Sequence, residues 1–527
     1  MSALHVLQSS DISTIQRLFQ SIHRNSDSSK NANRHSRPLD FSHLTIVSSP
    51  FDDLPLEVIQ QIFLYCLPNG HNPIIGLEQP PLLLTQISTK WRNIAVHTPL
   101  LWASIHISSL QSSLEELLFD EDQLTEDEAE MDASLEYLNV ICGWLDMSST
   151  HPLNISHIDL GPIISPGLTV ILSEVVLEYA SRIENLDITV NEPTLRTLDV
   201  IQPHLLSLLR SLRVKFPSIN TAQHLRCTGL LQAPKLRSLD LRRISVPITE
   251  LPVAWDQLTH LSLREQHDAL SPVHLALADV GTVLRSARHL ISCEVEIYNT
   301  SDEDSSRDLI TEPIFLPHLR RLAIHEHDGN LESFFSFLDP PHLEHLEFYT
   351  DASAIPRPPP TVLSFLKRMG GQLQIFGTNL VRFSSEDFTQ TLRSCPYLMT
   401  LSIKSFDVVD EETHRSSFMM ASILSYQKRL LLNDQFLRFF TTLDTTGAYL
   451  VPKLNRMEFL DGFKFSIDAV VGFIRFKKTG TSGVHKMRTL TLRRGEGPEG
   501  KLDLDLDQVG GIASEVLQAK LDLLYNS

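Results

Sequence analysis

Few side chains in this sequence have the type and spacing that catalysis requires. His325-Glu326-His327 and His342-Leu343-Glu344-His345 bring imidazoles close to carboxylates, which are the donor types that hold a transition metal. No third ligand is fixed by spacing in either group, so neither predicts a metal centre. Gly480-Thr481-Ser482-Gly483-Val484-His485-Lys486 has glycines and a lysine like a phosphate-cradling loop, but it lacks the GxxxxGK[ST] spacing and a leading buried strand. It is expected to be an ordinary loop. There is no GxSxG elbow, no HExxH and no cysteine with a recognisable histidine partner. The expectation is a chain that is not an enzyme, with no catalytic residue, cofactor or metal, acting through surfaces.

Bulk properties narrow what those surfaces meet. The chain has 527 residues, 42% of them hydrophobic, which is room for two to four structural units of a globular protein. No apolar run reaches the roughly 18 residues of a membrane span, and Met1 to Phe19 lacks the basic flank and cleavage site of a secretory signal. No membrane partner is expected. Cys66, Cys142, Cys227, Cys293 and Cys395 are scattered, odd in number and without a CxxC pair, which points to a reducing, intracellular setting, cytoplasmic, nuclear or both. A formal charge of −19 argues against nucleic acid as a partner, because phosphate binding needs a supply of cations. Ten of the eighteen residues from Glu115 to Asp132 are acidic, the composition of a solvated connector.

Residues 54 to 107 are the densest in signal. Asp53 precedes Leu54-Pro55, a helix start in which proline costs no hydrogen bond and Glu57 favours the positive end of the dipole. Val58, Ile59, Ile62, Phe63, Cys66 and Leu67 then recur at three-and-four spacing. A second stripe runs through Leu83, Leu84, Ile87, Trp91, Ile94 and Ala95 until Pro99 stops it, and Leu100, Leu101, Trp102, Ile105 and Ile107 follow. A unit this small cannot cover so many large apolar groups, so Leu54, Pro55, Ile62, Phe63 and Trp102 are expected to face water in part and mark a partner site.

In order and spacing, Leu54-Pro55-x-Glu57, Ile62-Phe63 and Trp91-Arg92-x-x-Ala95-x-x-Thr98-Pro99-x-Leu101-Trp102 resemble an F-box, although the connection from Asn69 to Pro81 is longer than in a compact one. The resemblance implies docking to a Skp-type adaptor and, through it, to a cullin, with Leu54, Pro55, Glu57, Ile62, Phe63, Trp91, Leu101 and Trp102 as the adaptor-binding residues.

From residue 181 onward one phrase recurs ten times: apolar, two variable, apolar, one variable, apolar. Examples are Ile183-x-x-Leu186-x-Ile188, Leu236-x-x-Leu239-x-Leu241, Leu319-x-x-Leu322-x-Ile324 and Met487-x-x-Leu490-x-Leu492. The first steps between central residues are 26, 27, 22, 32, 29 and 24, near the period of leucine-rich repeats. Two later steps of 55 and 56 leave room for a degenerate copy near Leu373 to Phe376 and for a helical insertion at about Phe418 to Leu443. Each phrase predicts a short strand with two apolar side chains inward. Stretches such as Val283 to Ser286 and Phe334 to Leu338 supply helical returns, and Pro234, Pro317, Pro341, Pro396 and Pro452 stand just before strands. The asparagine that caps regular repeats is mostly missing, which resembles the irregular repeats found after many F-boxes.

The expected fold is therefore α/β: a small all-α F-box-like module followed by an irregular leucine-rich-repeat solenoid, with parallel strands inside and helices outside. Its expected parts are an N-terminal helix and linker at 1–50, the F-box-like module at 51–108, an acidic connector and capping helix at 109–180, repeats at 181–500 and a closing tail at 501–527. Among outward strand positions, Arg213, Arg242, Arg264, Arg321, His325, Tyr349, Lys404 and Arg493 suggest a cationic face for an acidic or phosphorylated segment of an unidentified protein substrate. The function this implies is substrate recognition for an SCF-type ubiquitin ligase; the alternative is a non-catalytic interaction scaffold that assembles with no cullin.

Overall fold

The computed structural model describes residues 14–17, 19, 51, 54–108, 126–157, 166–189, 192–215, 228–242, 247–264, 275, 277–298, 312–327, 331–350, 362–380, 383–404, 432–443, 447–460, 463, 465–479, 485–493 and 501–505. Most of the acidic run, the 480–484 loop, the start of the 418–443 insertion and the tail from 506 lie outside these residues. The chain divides into two compact units, Met1–Val246 with Glu250–Ala254, and Pro247–Thr249 with Trp255–Ser527.

In the first unit, helices α1 (Leu56–Tyr65), α2 (Leu82–Ile87) and α3 (Thr89–Val96) lead through a 3-10 turn at Pro99–Trp102 into strand β1 (Ser104–Ile107). Helix α4 (Glu126–Met147), β2 (Leu153–His157), α5 (Pro166–Tyr179), β3 (Ile183–Thr189), α6 (Glu192–Leu198), β4 (Ser211–Lys215), α7 (Thr228–Leu231) and β5 (Ser238–Arg242) come next. All five strands are parallel and adjacent in chain order. The repeat thus begins at Ser104, inside the F-box-like segment, rather than at 181. Trp102-x-x-Ile105-x-Ile107 carries the same apolar phrase, hidden in the sequence because it continues a helical run. Helix α4, expected as an end cap, is the crossover between β1 and β2.

The second unit holds β6 (His260–Arg264), α8 (Leu277–Ser286), β7 (Ser292–Tyr298), β8 (Ile314–Phe315), β9 (Arg321–His327), α9 (Glu332–Phe337), β10 (Leu338–Asp339), β11 (His345–Thr350) and α10 (Val362–Met369). It continues with β12 (Ile375–Asn379), α11 (Ser385–Ser394), β13 (Thr400–Lys404), α12 (Asp434–Arg438), β14 (Arg456–Leu460), α13 (Ile467–Thr479), β15 (Thr489–Arg493) and β16 (Lys501–Asp505). Its sheet runs β6-β7-β9-β11-β12-β13-β14-β15 in parallel, and β16 closes it by pairing antiparallel with β15. Strands β8 and β10 form a separate parallel pair. All ten phrases fall on strands, and the degenerate copy at Leu373 to Phe376 is β12.

Register explains the phrase. Leu186, Leu212 and Leu239 align across β3 to β5, and Leu261, Cys293, Leu322, Leu346, Phe376, Leu401, Met457 and Leu490 align in the second unit, all buried. The prolines that stand before strands act through local turns. Each occupies the second position of a tight turn closed by an amide of the strand's first leucine, as in Leu236 N to Ala233 O, Leu319 N to Leu316 O and Leu398 N to Cys395 O. Just beyond each turn one carbonyl accepts two successive amides of the next rung: Arg320 O takes those of Glu344 and His345, and Gln374 O those of Met399 and Thr400. One capping asparagine does occur. Asn379, buried, donates from Nδ2 to Thr350 O and accepts from Thr350 N.

Turns this tight leave no room for side chains at close approaches. A Cβ on Gly229, in α7, would stand 1.9 Å from the carbonyl oxygen of Ile201. Gly229→Ala is expected to destabilise the first unit by about 2 kcal/mol or more. The measurement is the urea midpoint, which an unstrained site would leave unchanged.

Candidate functional site

Helix α1 is apolar on two opposite faces. Ile59 and Phe63 point into the unit and are buried, while Val58 and Tyr65 fall on the far side, Ile62 lies at the edge between them and Leu54 stands just before the helix. Of these, Leu54 is 36%, Val58 42% and Tyr65 77% exposed, and Ile62 is half-buried. Leu56, Leu83, Ile87 and Leu100 are further exposed apolar groups of the module. Pro55 and Glu57 are exposed as well.

The remaining expected contact residues are placed differently. Phe63, Leu101 and Trp102 are 0% exposed, and Trp91 is half-buried with its ring 4.9 Å from that of Phe63. The expectation that Phe63 and Trp102 face water is thus corrected. What covers Trp102 comes from outside the module: the Trp144 ring of α4 at 5.1 Å and the Phe19 ring at 6.4 Å, both edge-on. Its indole N–H donates to Ala95 O at 2.9 Å.

The open strand face is also unlike its expectation. Most of the cations expected there meet carboxylates, brought beside them by register or by two-residue spacing along one strand. Arg213 reaches Asp187 and Asp240, each at 2.8 Å, and Arg242 shares Asp240. In the second unit Arg264 meets Glu294, Arg321 meets Glu347 at 3.0 Å and Arg456 meets Glu458. Burial pushes the Asp240 carboxyl up, but the bonds from Arg242 and Arg213 outweigh this and hold it below the usual carboxylate range. The hydrogen bond from His345, with Arg321 alongside, does the same for Glu347. The His325 ring packs at a tilt against Tyr349, centroids 5.1 Å apart, and the Tyr349 hydroxyl occupies the space that a Cβ on Gly377 of the next rung would need. Lys404 ends β13 exposed, and Arg493 ends β15 half-buried. Because neighbouring strands lie about 4.8 Å apart, oppositely charged residues on adjacent rungs pair. The face is a charge mosaic rather than a cationic strip.

One groove stands out in the first unit. It is a cavity of about 920 Å³ whose floor is the open face of β1 to β4 and whose wall is the segment from Leu67 to Ile74. That wall belongs to the long connection after α1. It is pinned to the sheet edge: Pro73 O accepts from His106 N at 2.7 Å, and Asn72 Nδ2 donates to Ser156 Oγ at 2.9 Å, with Ile105 O and Asn154 O at 3.3 Å. Along the floor Asn185 Nδ2 donates to Asn154 Oδ1, and Asn154 Nδ2 donates to Ser104 Oγ at 3.0 Å. Burial, with His157 and His71 nearby, pushes His106 down to about 4, so its imidazole is neutral at physiological pH.

Among the described residues no group of His, Cys, Asp and Glu is arranged to hold a metal, and no helix is long and apolar enough to cross a membrane. His325 and His345 sit on the open face, as their spacing predicts, engaged with Glu294 and Glu347. The sequence pattern did not disclose the groove. Its signal was the row Ser104, Asn154, Asn185 and Ser211, small polar residues that share one register position only once β1 and β2 are recognised as strands. Set against known proteins, this chain matches no protein family and no curated protein.

Proposed function

We propose that this chain is the substrate-recognition subunit of an SCF-type ubiquitin ligase. An F-box-like module would dock a Skp-type adaptor, and through it a cullin, on the outer face of α1, while the stacked strands, read as irregular leucine-rich repeats, would hold a protein target. The observation that carries this reading is the second apolar face of α1. Covering a Val- or Leu-sized side chain fully contributes about 1.5–3 kcal/mol, and Val58 and Tyr65 keep 42% and 77% of their surface open. Such a face favours a partner subunit. A receptor of this kind needs no active site of its own. It holds a target lysine beside a charged conjugating enzyme and so makes an encounter between two molecules effectively intramolecular.

Co-expression with a Skp-type adaptor tests the docking. The wild-type chain should copurify with adaptor and cullin. A Val58→Asp, Tyr65→Asp double variant should lose the adaptor while its melting temperature stays put, since both positions are exposed. Absence of adaptor from the wild-type complex, or equal capture by the variant, would remove the proposal. Adaptor without cullin or ubiquitin transfer would favour the scaffold instead.

A further inference from the structure

We infer that the groove between the Leu67–Ile74 segment and the floor of β1 to β4 binds an extended peptide segment of low net charge. This deepens the receptor reading by naming the chemistry of its cargo, and it rests on that reading only for the fate of cargo once captured.

The floor keeps unused hydrogen-bonding capacity. A side-chain amide offers two N–H donors and an oxygen with two lone pairs. Asn185 spends one donor on Asn154, and Asn154 spends one on Ser104 and one lone pair on Asn185. Each amide keeps a donor, and the Asn185 oxygen keeps both acceptor sites, beside the hydroxyl of Ser211 on the next rung. Alternating donors and acceptors are what a peptide backbone presents along its length.

Size and charge agree with that occupant. Four rungs at about 4.8 Å span about 14 Å, the reach of roughly four extended residues. The floor carries charges of both signs: Asp187 pairs with Arg213 at 2.8 Å, Arg213 is shared with Asp240 at 2.8 Å, and Lys215 lies at the end of the same strand. A strongly acidic or basic segment would meet charges of its own sign, whereas a neutral one leaves the pairs intact. The lining includes no Phe, Tyr or Trp; its only rings besides proline are the imidazoles of His71 and His106. The wall is itself part of the chain immediately after α1, so cargo would sit one short segment away from the proposed adaptor face.

The test is panning of a random displayed twelve-residue peptide library on the full chain, with peptides eluted and ranked by fluorescence binding. Asn185→Leu removes the amide at an exposed floor position, and Ser211→Trp fills the groove while keeping both asparagines; unchanged melting establishes that each is folded. Enriched peptides low in charge, weakened about tenfold or more by either variant, support the inference. The Val58→Asp, Tyr65→Asp chain should bind them as the wild type does, which separates this result from the fate of the adaptor reading. No enrichment above the Ser211→Trp chain, binding indifferent to both variants, a consensus of clustered like charges, or preferential capture of a single-stranded oligonucleotide would each overturn it.

Discussion

Trp102→Ala is expected to destabilise the first unit by about 3–5 kcal/mol, a large part of the stability of a typical domain. The indole is wholly buried, sandwiched edge-on between Trp144 and Phe19. Truncation opens a cavity among three elements that are distant in sequence and leaves Ala95 O without the indole donor it has now. Urea unfolding should report a midpoint shifted strongly downward with little change in slope. Any loss of the proposed adaptor by this variant would stem from its unfolding, whereas the Val58→Asp, Tyr65→Asp chain is expected to lose it with its stability intact. Should Trp102→Ala melt like the wild type, the aromatic cluster would not be the keystone between the module and the strands behind it.

Lys477→Met is expected to do the opposite and raise stability. The Lys477 side chain in α13 is 0% exposed, and its Nζ has no hydrogen-bond partner among the described residues. Burial alone holds its pKa down to about 8, against 10.5 when solvated. Below pH 8 the amine is protonated in both the folded and the unfolded chain, and the folded state bears the full penalty of a buried charge. Between pH 8 and about 10.5 the unfolded chain binds more protons than the folded one, so this group's contribution to stability rises with pH. Above that window the amine is neutral in both states. At pH 7 the methionine variant should be more stable by about 3 kcal/mol, the value of a shift of this size, and the advantage should fade as pH approaches 10.5. Chemical denaturation of both chains at pH 7 and pH 10 measures it. An advantage that does not vary with pH would mean that the amine reaches solvent or a counter-charge.

Both predictions concern interior positions, and the sequence was only partly able to identify these. The strands were legible because their cause is local. Alternation at Leu239-x-Leu241 and a proline at the second position of the turn act within a few residues. Strand β12 was legible as a degenerate copy, although Thr378 replaces its last apolar residue. Strand β1 was not, because Trp102-x-x-Ile105-x-Ile107 fits a helical stripe equally well until β2 is there to pair with it. The open apolar face of α1 was half legible: three-and-four spacing identifies the apolar residues of the helix but cannot say which of them the rest of the chain will cover.

Composition and periodicity, taken alone, thus determined an α/β chain of stacked parallel strands led by a short helical module, because burial of a repeated apolar phrase needs only neighbours like itself. Tertiary structure decided which groups remain available to partners. Trp144 lies 42 residues beyond Trp102 and seals it, Asp187 and Asp240 flank Arg213 from strands on either side, and the Leu67–Ile74 segment becomes a wall only where it meets β1. These outcomes depend on register between residues tens of positions apart, which no local pattern encodes.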